Sequence, residues 1–471
     1  MNARSEGLLV NDRHSALNAS CPAWVECPAG PVALRRSLAR FRRSGMTVSV
    51  AGGRHAMGGQ QFCDGGGLLD MTRHARVLDH DSQRGLIEVE AGIRWPALHQ
   101  WLTMRRRGDG QGWCIRQKQS GADDFTLGGS LSANAHGRGL DFAPLVQDIE
   151  AFRLILPDGT SVDVDRSRYP GLFAAAIGGY GLLGVVDTVT LRLARRCKLE
   201  RRVRLLDVDL VPAAFEAEVA SGSLYGDFQF SIDPSDETFL RHGVFACYRP
   251  LPDEALMPEP AVALNDALWR ELMRLAHVDK REAFRRYCAF YERTDGQRYA
   301  SDDHQFGIYP DGYHAELDRA LGHCGSEMIT ELYVPAPALP LFLSRAADVL
   351  RPGRADVIYG TVRRIRADRE TLLAWAREDF LCVVFNLHVR HDPAGIAVAR
   401  DVFRSLIDEA LDLGGSYYLT YHGYASATQV RRAYPQMERF LALKREIDPR
   451  RQFCSDWFRR LSATRVETGE P

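Results

Sequence analysis

Residues 48–59 read VSVAGGRHAMGG, with four glycines among the last eight residues, directly after a short run of small β-forming side chains. Glycine has no Cβ, so its backbone N–H group can approach a ligand closely and its φ angle can be positive. Successive exposed amides of this kind form a concave anion site, which phosphate usually occupies. The stretch therefore predicts a phosphate-binding loop with a histidine, His55, inside it.

The residues before this loop predict a β–α–β unit. Residues 24–27 are a short strand candidate. Residues 31–44 begin with proline, repeat leucine and phenylalanine at helical spacing and stop at Gly45. Residues 47–51 return as a strand that runs into the loop. Ligands of α/β folds bind beyond the carboxyl ends of parallel strands, so the loop lies where a ligand is expected.

Two further glycine-dense segments lie before residue 190. Residues 126–137 read TLGGSLSANAHG, whose small side chains and lack of a helical apolar stripe predict backbone pressed closely on a neighbour. Residues 177–184 read IGGYGLLG and contain G-x-G-x-x-G. A Rossmann site needs a strand before that pattern and a helix after it. Here a helical stretch precedes it and an alternating strand follows, which disfavours an NAD-dependent Rossmann enzyme and favours one extended ligand contacted by three glycine segments.

The order and spacing of these motifs resemble the FAD-linked oxidoreductases of the vanillyl-alcohol oxidase type, the p-cresol methylhydroxylase superfamily. VSVAGGRHAMGG resembles that family's pyrophosphate loop, and DDFTLGGSLSANAHG and GGYGLLGVV resemble two flavin-contacting segments. LLDMTR, EVEAGIRWPALHQWL and DPRRQFCSDWFRRL are similar to further family segments. The resemblance is strong over residues 20–195, moderate near the C-terminus and loose between them, where aldonolactone, alditol and decaprenylphosphoryl-ribose oxidases are nearest.

The resemblance implies an α+β fold. It consists of a two-subdomain FAD-binding domain of the p-cresol methylhydroxylase type and an α+β cap domain with an antiparallel sheet. We therefore expect a polar tail over residues 1–19, an FAD-binding domain over 20–195, a substrate or cap domain over 196–440 and, over 441–471, a segment that returns to the FAD domain.

The resemblance also implies which residues contact FAD. Backbone amides of Gly52, Gly53, Arg54, Ala56 and Met57 are expected to hold the pyrophosphate. The flavin and its ribityl chain are expected to lie against Gly128, Gly129, Ser132, Asn134, His136 and Gly137, with Gly184 and Val186 at the adenine end or the flavin. His136 is equally well explained as a packed, backbone-bonded histidine.

His55 stands where many relatives attach the flavin 8α-methyl group to an imidazole nitrogen. A ring nitrogen held near that electrophilic methyl group needs only positioning to add. Ala56 replaces the serine that is common beside this histidine, and some noncovalent relatives lack the histidine. We expect covalent attachment of FAD through His55, with a loop histidine bonded to backbone or phosphate as the alternative.

Five residues are candidates for the substrate side: Glu331, Asn386, His388, Tyr421 and His422. Glu331 lies in ITELYVP, where relatives place an acidic or amide residue facing the substrate. Asn386 and His388 alternate on an apolar strand, so they share a face that is either its solvent side or a pocket wall, and bulky neighbours favour the pocket. Alcohol oxidation by a flavin needs a base for the hydroxyl proton. Tyr421 or His422, in YYLTYHGYA, is the expected base, unless this run is simply a packed strand.

These residues predict an FAD-dependent oxidoreductase. Hydride would pass to flavin N5 from a C–OH group of a sugar-like, alditol, lactone or other hydroxylated small molecule, and oxygen or another acceptor would reoxidise the flavin. The alternative is a flavin-binding subunit or redox partner without its own alcohol-oxidising activity.

The amino-acid composition disfavours several classes of binding partner and of cellular location. The 471 residues include 60 basic and 61 acidic side chains, so no charge excess favours nucleic acid. The ten cysteines show no zinc spacing, so no metal site is expected. Apolar runs are too short for a signal peptide or a membrane span. We expect a cytoplasmic protein, with attachment to a membrane surface left open.

Overall fold

A computed structural model describes residues 8–105, 112–258, 262–307, 312–351 and 355–466. The first seven residues of the expected tail and the last five of the expected C-terminal segment lie outside this range. Helices and mainly antiparallel sheets confirm the α+β fold class. Among the described residues, no helix combines the length and the apolar character needed to cross a bilayer.

The helices, in chain order, are α1 (Pro31–Ser44), α2 (Trp95–Thr103), α3 (Leu127–Ala133), α4 (Pro170–Ala176), α5 (Val211–Ala220), α6 (Asp266–Val278), α7 (Lys280–Glu292), α8 (Tyr313–Leu321), α9 (Leu339–Leu350), α10 (Pro393–Asp412), α11 (Ala427–Ala433), α12 (Met437–Ile447) and α13 (Asp456–Val466).

The strands are β1 (Trp24–Glu26), β2 (Val48–Ala51), β3 (Gly67–Asp70), β4 (Val77–Asp81), β5 (Leu86–Glu90), β6 (Trp113–Cys114), β7 (Ile149–Ile155), β8 (Ser161–Asp165), β9 (Val185–Arg192), β10 (Ala194–Arg195), β11 (Lys198–Asp207), β12 (Tyr225–Phe230), β13 (His242–Leu251), β14 (Arg298–Ala300), β15 (Gly325–Val334), β16 (Asp356–Ile365), β17 (Phe380–Arg390) and β18 (Ser416–Tyr417).

The β–α–β unit predicted from residues 24–51 forms a small parallel sheet in the order β1-β3-β2. Helix α1 occupies the predicted residues because proline begins it, and Gly45, with φ 67°, ends it in the left-handed conformation. Its leucines and Phe41 are buried. The glycine loop therefore leaves β2 at the carboxyl end of a parallel strand, as predicted.

A five-stranded antiparallel sheet, in the order β4-β5-β9-β7-β8, carries the third glycine segment. Helix α4 precedes that segment, and strand β9 begins at Val185, directly after Gly184. A Rossmann site would require a helix there to meet the pyrophosphate. The G-x-G-x-x-G pattern is therefore a loop between a helix and a strand, as the sequence indicated.

The second glycine segment differs from the prediction, because residues 127–133 form the short helix α3. Thr126 caps it, since its side chain accepts a hydrogen bond from Gly129 N, and Asn134 ends it with φ 48°. Leu127 and Leu131, four residues apart, are its buried apolar contacts. A single pair of leucines does not establish the helical repeat of apolar residues from which a helix is predicted in a sequence.

The largest sheet has eight strands in the order β14-β11-β13-β12-β16-β17-β15-β18, and its neighbours pair antiparallel where their register is resolved. Side chains alternate between the two faces of a strand. On β15, Thr330 faces His422 beside helix α10, whereas Glu327 faces His277 of helix α6. We call the face that carries Glu327 and Glu331 the polar face.

The C-terminal residues contact both the glycine segments and β2. Val48 N donates to Gln452 O at 2.7 Å, and Cys454 N donates to Val48 O at 3.0 Å. The Lys444 ammonium is buried and donates to Asp448, to Phe453 O at 2.8 Å and to Leu182 O at 2.6 Å. This one side chain thus connects α12, the C-terminal turn and the third glycine segment. Helix α12 ends at Ile447, before this turn, and α13 begins after it at Asp456.

We expect Lys444→Ala to destabilise the protein by about 3–5 kcal/mol, because it leaves Asp448 buried without its cation and removes two hydrogen bonds to carbonyls. Urea unfolding followed by circular dichroism measures this. Arg445→Ala, one residue along the same helix and exposed, is the control and should change stability by no more than about 0.5 kcal/mol. Equal effects of the two substitutions would contradict the role assigned to Lys444.

Candidate functional site

An elongated cavity lies between the three glycine segments and the polar face of the large sheet, with residues of all three segments in its wall. Its wall is formed by the loop after β2, by α3, by the residues around Gly184 and by residues of β15, β16 and the segment after β18.

Most of the residues predicted to contact the cofactor line this cavity. They are Gly52, Gly53, Arg54, His55, Ala56, Gly128, Gly129, Ser132, His136, Gly184 and Val186. Met57, Asn134 and Gly137 are absent from the lining. Met57 is only 2% exposed, and its N–H donates to Thr420 O at 3.1 Å, so its backbone amide is used within the protein.

Asn134 and Gly137 shape the backbone instead of contacting the cavity. The Asn134 amide donates to Asp368 at 2.8 Å and accepts from Val146 N at 3.0 Å, and the residue is fully buried. A Cβ on Gly137 would lie 2.7 Å from Lys118 O. These contacts correct the expectation that both residues line the flavin.

The first glycine loop is pressed against helix α3. A Cβ on Gly52 would lie 2.0 Å from Thr126 Oγ1, a distance that no side chain can occupy. Arg54 has φ 62°, and its guanidinium donates to Asp70 Oδ2 at 2.9 Å, so the loop is also anchored to the end of β3. The lack of a side chain at Gly52 is therefore required by close packing within the protein.

Both ring nitrogens of His55 have partners. Nε2 lies 3.0 Å from Asp124 O, and because a carbonyl only accepts, Nε2 carries the proton. Nδ1 then offers its lone pair and lies 2.8 Å from His14 Nε2. Burial, followed by the neighbouring His14, lowers the pKa of His55 to about 3. His55 is thus a neutral imidazole with a defined tautomer and an electron pair at Nδ1.

Three buried polar atoms of the cavity wall have no hydrogen-bond partner within the described structure: Gln61 Oε1, Ser120 Oγ and Arg363 Nε. Buried polar groups almost always have a partner, so a ligand with both donors and acceptors is expected here. FAD, with its hydroxylated ribityl chain, its pyrophosphate and its amide-bearing rings, fits this wall of small residues and unpaired polar atoms.

Comparison with known proteins decides the cofactor. A family described as an FAD binding domain matches residues 22–165. The chain is an FAD-linked oxidoreductase. Its motifs are similar to those of the p-cresol methylhydroxylase superfamily.

Three relatives of the oxidoreductase illustrate the similarity. L-gulono-1,4-lactone dehydrogenase of Mycobacterium tuberculosis (strain ATCC 25618 / H37Rv) is 23% identical over 448 residues, 93% of this chain and 96% of that protein. L-gulonolactone oxidase of Bos taurus is 29% identical over 38% of this chain and 39% of its own length. Mitochondrial L-galactono-1,4-lactone dehydrogenase of Arabidopsis thaliana is 29% identical over 28% of this chain and 21% of its own.

Glu331 and His136 of the oxidoreductase form a buried pair in the cavity wall. His136 Nδ1 lies 2.9 Å from Gly137 O, so it carries a proton, and His136 Nε2 lies 3.0 Å from Glu331 Oε2. Burial would raise the pKa of the Glu331 carboxyl, but His136 and Arg363 outweigh burial and hold the pKa below its usual value. Glu331 is therefore an ionised carboxylate, and its Oε2 faces His136 Nε2.

Tyr421 also lines the cavity and donates through its hydroxyl to Glu331 Oε1 at 3.3 Å. Burial and the Glu331 charge raise the pKa of Tyr421 far above its usual value. Tyr421 is therefore a neutral hydrogen-bond donor, and of the cavity residues proposed from sequence, Glu331 is the one with the properties of a base.

His422, the other base candidate, lies on the opposite side of the sheet. Its Nε2 is 3.2 Å from Thr330 Oγ1, and its ring stacks on Phe403 of α10 with centroids 4.6 Å apart. Thr330 and Glu331 are consecutive on β15, so their side chains point to opposite faces. This corrects the expectation that His422 acts on the substrate. Burial lowers its pKa to about 3, as expected of a packed neutral histidine.

Asn386 and His388 lie on the polar face, beyond the cavity. Asn386 lies opposite Ile329 of β15, and His388 lies opposite Glu327. The residue opposite Glu331 is Val384, so both side chains lie further along the sheet from Glu331. Asn386 Oδ1 is buried without a partner within the described structure. His388 does not form a wall of the cavity: its Nδ1 lies 3.2 Å from Glu327 Oε1 and its Nε2 lies 2.9 Å from His323 Nε2.

Arg363 was missed by sequence reasoning. The run GTVRRI places one arginine on each face of β16, and nothing in the sequence indicates which of the two reaches the flavin side. The tyrosine-rich run after β18 gave a partial signal, since Tyr418 also lines the cavity and donates to Ala133 O at 2.8 Å.

We expect Gly52→Ala to lose bound FAD, because the new methyl group would force the first loop away from Thr126. The ratio of flavin to protein absorbance in the purified protein measures this. Gly171→Ala is the control, since a Cβ there meets no atom within 4 Å, and it should bind FAD as the parent does. Full flavin content in Gly52→Ala would contradict the close packing described above.

Proposed function

We propose that this oxidoreductase oxidises a ring hydroxyl of an aldonolactone, a cyclic polyhydroxylated ester. The observation that carries the proposal is the ionised Glu331 carboxylate in the FAD cavity, beside the Arg363 guanidinium. The lactone class is suggested by the relatives, whose names specify L-gulono- and L-galactono-lactones. The FAD-dependent chemistry itself requires a small-molecule substrate and an electron acceptor.

The polar face supports a substrate rich in hydroxyl groups. Four buried oxygen atoms on it have no partner within the described structure: Asp227 Oδ1, Gln229 Oε1, Thr361 Oγ1 and Asn386 Oδ1. They lie on β12, β16 and β17, and of these strands β17 pairs with β15, which carries Glu331. All four accept hydrogen bonds, so they complement a ligand that donates several, as a polyol does.

Each polar residue around the reacting hydroxyl has a separate role in the proposed reaction. FAD, when bound, accepts the hydride from the carbon that carries the hydroxyl. Glu331 receives the hydroxyl proton through Oε1, whose hydrogen-bond partner among the described residues is Tyr421, at 3.3 Å. His136 and Tyr333 hold Oε2 at 3.0 Å each and so fix the carboxylate's orientation. Arg363 supplies positive charge beside the oxygen on which negative charge develops.

We expect Glu331→Gln to slow anaerobic reduction of the bound flavin by L-gulono-1,4-lactone or L-galactono-1,4-lactone about 10²–10⁴-fold, because an amide accepts no proton. Stopped-flow absorbance of the oxidised flavin measures this rate. Tyr421→Phe should cost less, since a donor is lost but the carboxylate remains. The control is Glu254→Gln on the exposed surface.

Two results would contradict this assignment. A Glu331→Gln variant that keeps FAD and reduces it at the parental rate would remove Glu331 from the reaction. A parent protein whose flavin is reduced by no lactone, alditol or sugar would instead favour a flavin-binding subunit without alcohol-oxidising activity. Hydrogen peroxide release during turnover distinguishes oxygen from another electron acceptor.

We also propose that FAD is attached through His55 Nδ1. That nitrogen carries the electron pair of the neutral ring and lies 2.8 Å from His14 Nε2, and Asp124 O holds the opposite nitrogen as N–H, which orients the pair. The low pKa of His55 keeps the pair available at neutral pH.

On acid precipitation we expect the yellow colour to stay with the parent protein and to move to the supernatant in His55→Ala. His14→Ala is the control, because it removes a neighbour of the same nitrogen but no attachment atom, so its colour should stay with the pellet. Colour released from the parent protein would show noncovalent binding.

A further inference from the structure

A second cluster of titratable side chains lies on the polar face, away from the flavin. Its centre is Glu327, four residues before Glu331 on β15 and therefore about 13 Å from it along the strand. The Glu327 carboxylate is 4% exposed. Its Oε2 accepts hydrogen bonds from Tyr313 Oη at 2.8 Å and from His314 Nδ1 at 3.0 Å. Its other oxygen, Oε1, faces two different histidines.

The first of these is His277 of α6, whose Nε2 lies 3.0 Å from Glu327 Oε1. The opposite ring nitrogen, Nδ1, lies 2.8 Å from Met273 O. A carbonyl oxygen only accepts, so Nδ1 carries the proton. Nε2 is therefore the ring nitrogen that faces the carboxylate, in the position that a metal ligand would take.

The second is His388 of β17, whose Nδ1 lies 3.2 Å from the same oxygen. Its Nε2 lies 2.9 Å from His323 Nε2, while His323 Nδ1 lies 3.2 Å from Leu321 O and is therefore protonated. Neutral His323 thus accepts through Nε2, and His388 must donate to it. The lone pair of His388 Nδ1 is left facing Glu327.

Three electron-pair donors therefore converge, and all three atoms lie within 4.8 Å of one another. A single divalent cation satisfies all three electron pairs at once.

We propose that His277 Nε2, His388 Nδ1 and Glu327 Oε1 bind a divalent transition-metal ion, for which zinc is the best fit. Ligand atoms at zinc bonds of about 2.0 Å are about 3.3 Å apart on a tetrahedron. The two nitrogen–oxygen separations in the structure, 3.0 and 3.2 Å, are close to that value.

The surroundings support the same assignment. Metal-binding histidines usually donate their second ring N–H to a carbonyl or another acceptor, which fixes the tautomer. His277 does this with Met273 O, and His388 does it with His323. The ion would join α6 to β15 and β17, so it would act as a structural clamp on the helices that cover the polar face. The proposal is independent of the reaction at the flavin.

The test uses the full-length protein after treatment with a chelator, with Zn²⁺ as the probe in equilibrium dialysis. We expect the parent to bind one Zn²⁺ per chain and His277→Ala and Glu327→Gln to bind it more than 100-fold more weakly. His323→Ala, which removes only the partner of His388, should weaken binding about 10–100-fold. His242→Ala, outside the cluster, is the control. Equal affinity in the parent, His277→Ala and Glu327→Gln would overturn the proposal.

A measurement on the parent protein alone covers the case in which a variant fails to fold. With Co²⁺ in place of Zn²⁺, proton NMR should show two strongly shifted, exchangeable ring N–H signals, one from each histidine ligand. Cobalt binding without these signals, or no binding to the folded, flavin-containing protein, would also overturn the proposal.

Discussion

The hydrogen bond between His136 and Glu331 is the interaction on which the site depends. It joins residues 195 positions apart in the sequence, one from the segment after α3 and one from the large sheet. Both side chains are buried, so removing His136 would leave the Glu331 charge without its partner, at a cost of about 3–5 kcal/mol. The same carboxylate that we propose as the proton acceptor thus also joins the second glycine segment to the large sheet.

The alternation of side chains on β15 explains why this sheet can hold a reaction site and a hydrophobic core at once. Glu327 faces helix α6, and Glu331 faces the flavin cavity. The alternate residues Met328, Thr330 and Leu332 face the layer that contains α10. A shift by one residue in the pairing of β15 would exchange the two sets and bury both carboxylates among leucines. Ten paired residues between β15 and β17 oppose such a shift.

Sequence reasoning succeeded where a local pattern has one structural meaning. Proline, leucine spacing and Gly45 give the bounds of α1, and an alternating strand after Gly184 excludes a Rossmann site. It failed where the outcome depends on distant partners. The Asn134 side chain is hydrogen-bonded to Asp368 and therefore does not reach the cavity. His422 lies beside Thr330, on the face of β15 opposite to Glu331. The glutamate–histidine cluster escaped notice because its residues are 50 and 61 positions apart. The domain limits and the cytoplasmic location stay predictions.

Helices α6, α7 and α8 all arise from one excursion of the chain between β13 and β15. They rest on the polar face and contribute nothing to the three glycine segments. Exchanges on the inner faces of these three helices can therefore alter what covers the four unpaired oxygens without changing any residue that lines the flavin cavity. Affinity for a hydroxylated ligand and affinity for the cofactor can thus be tuned by separate parts of the chain.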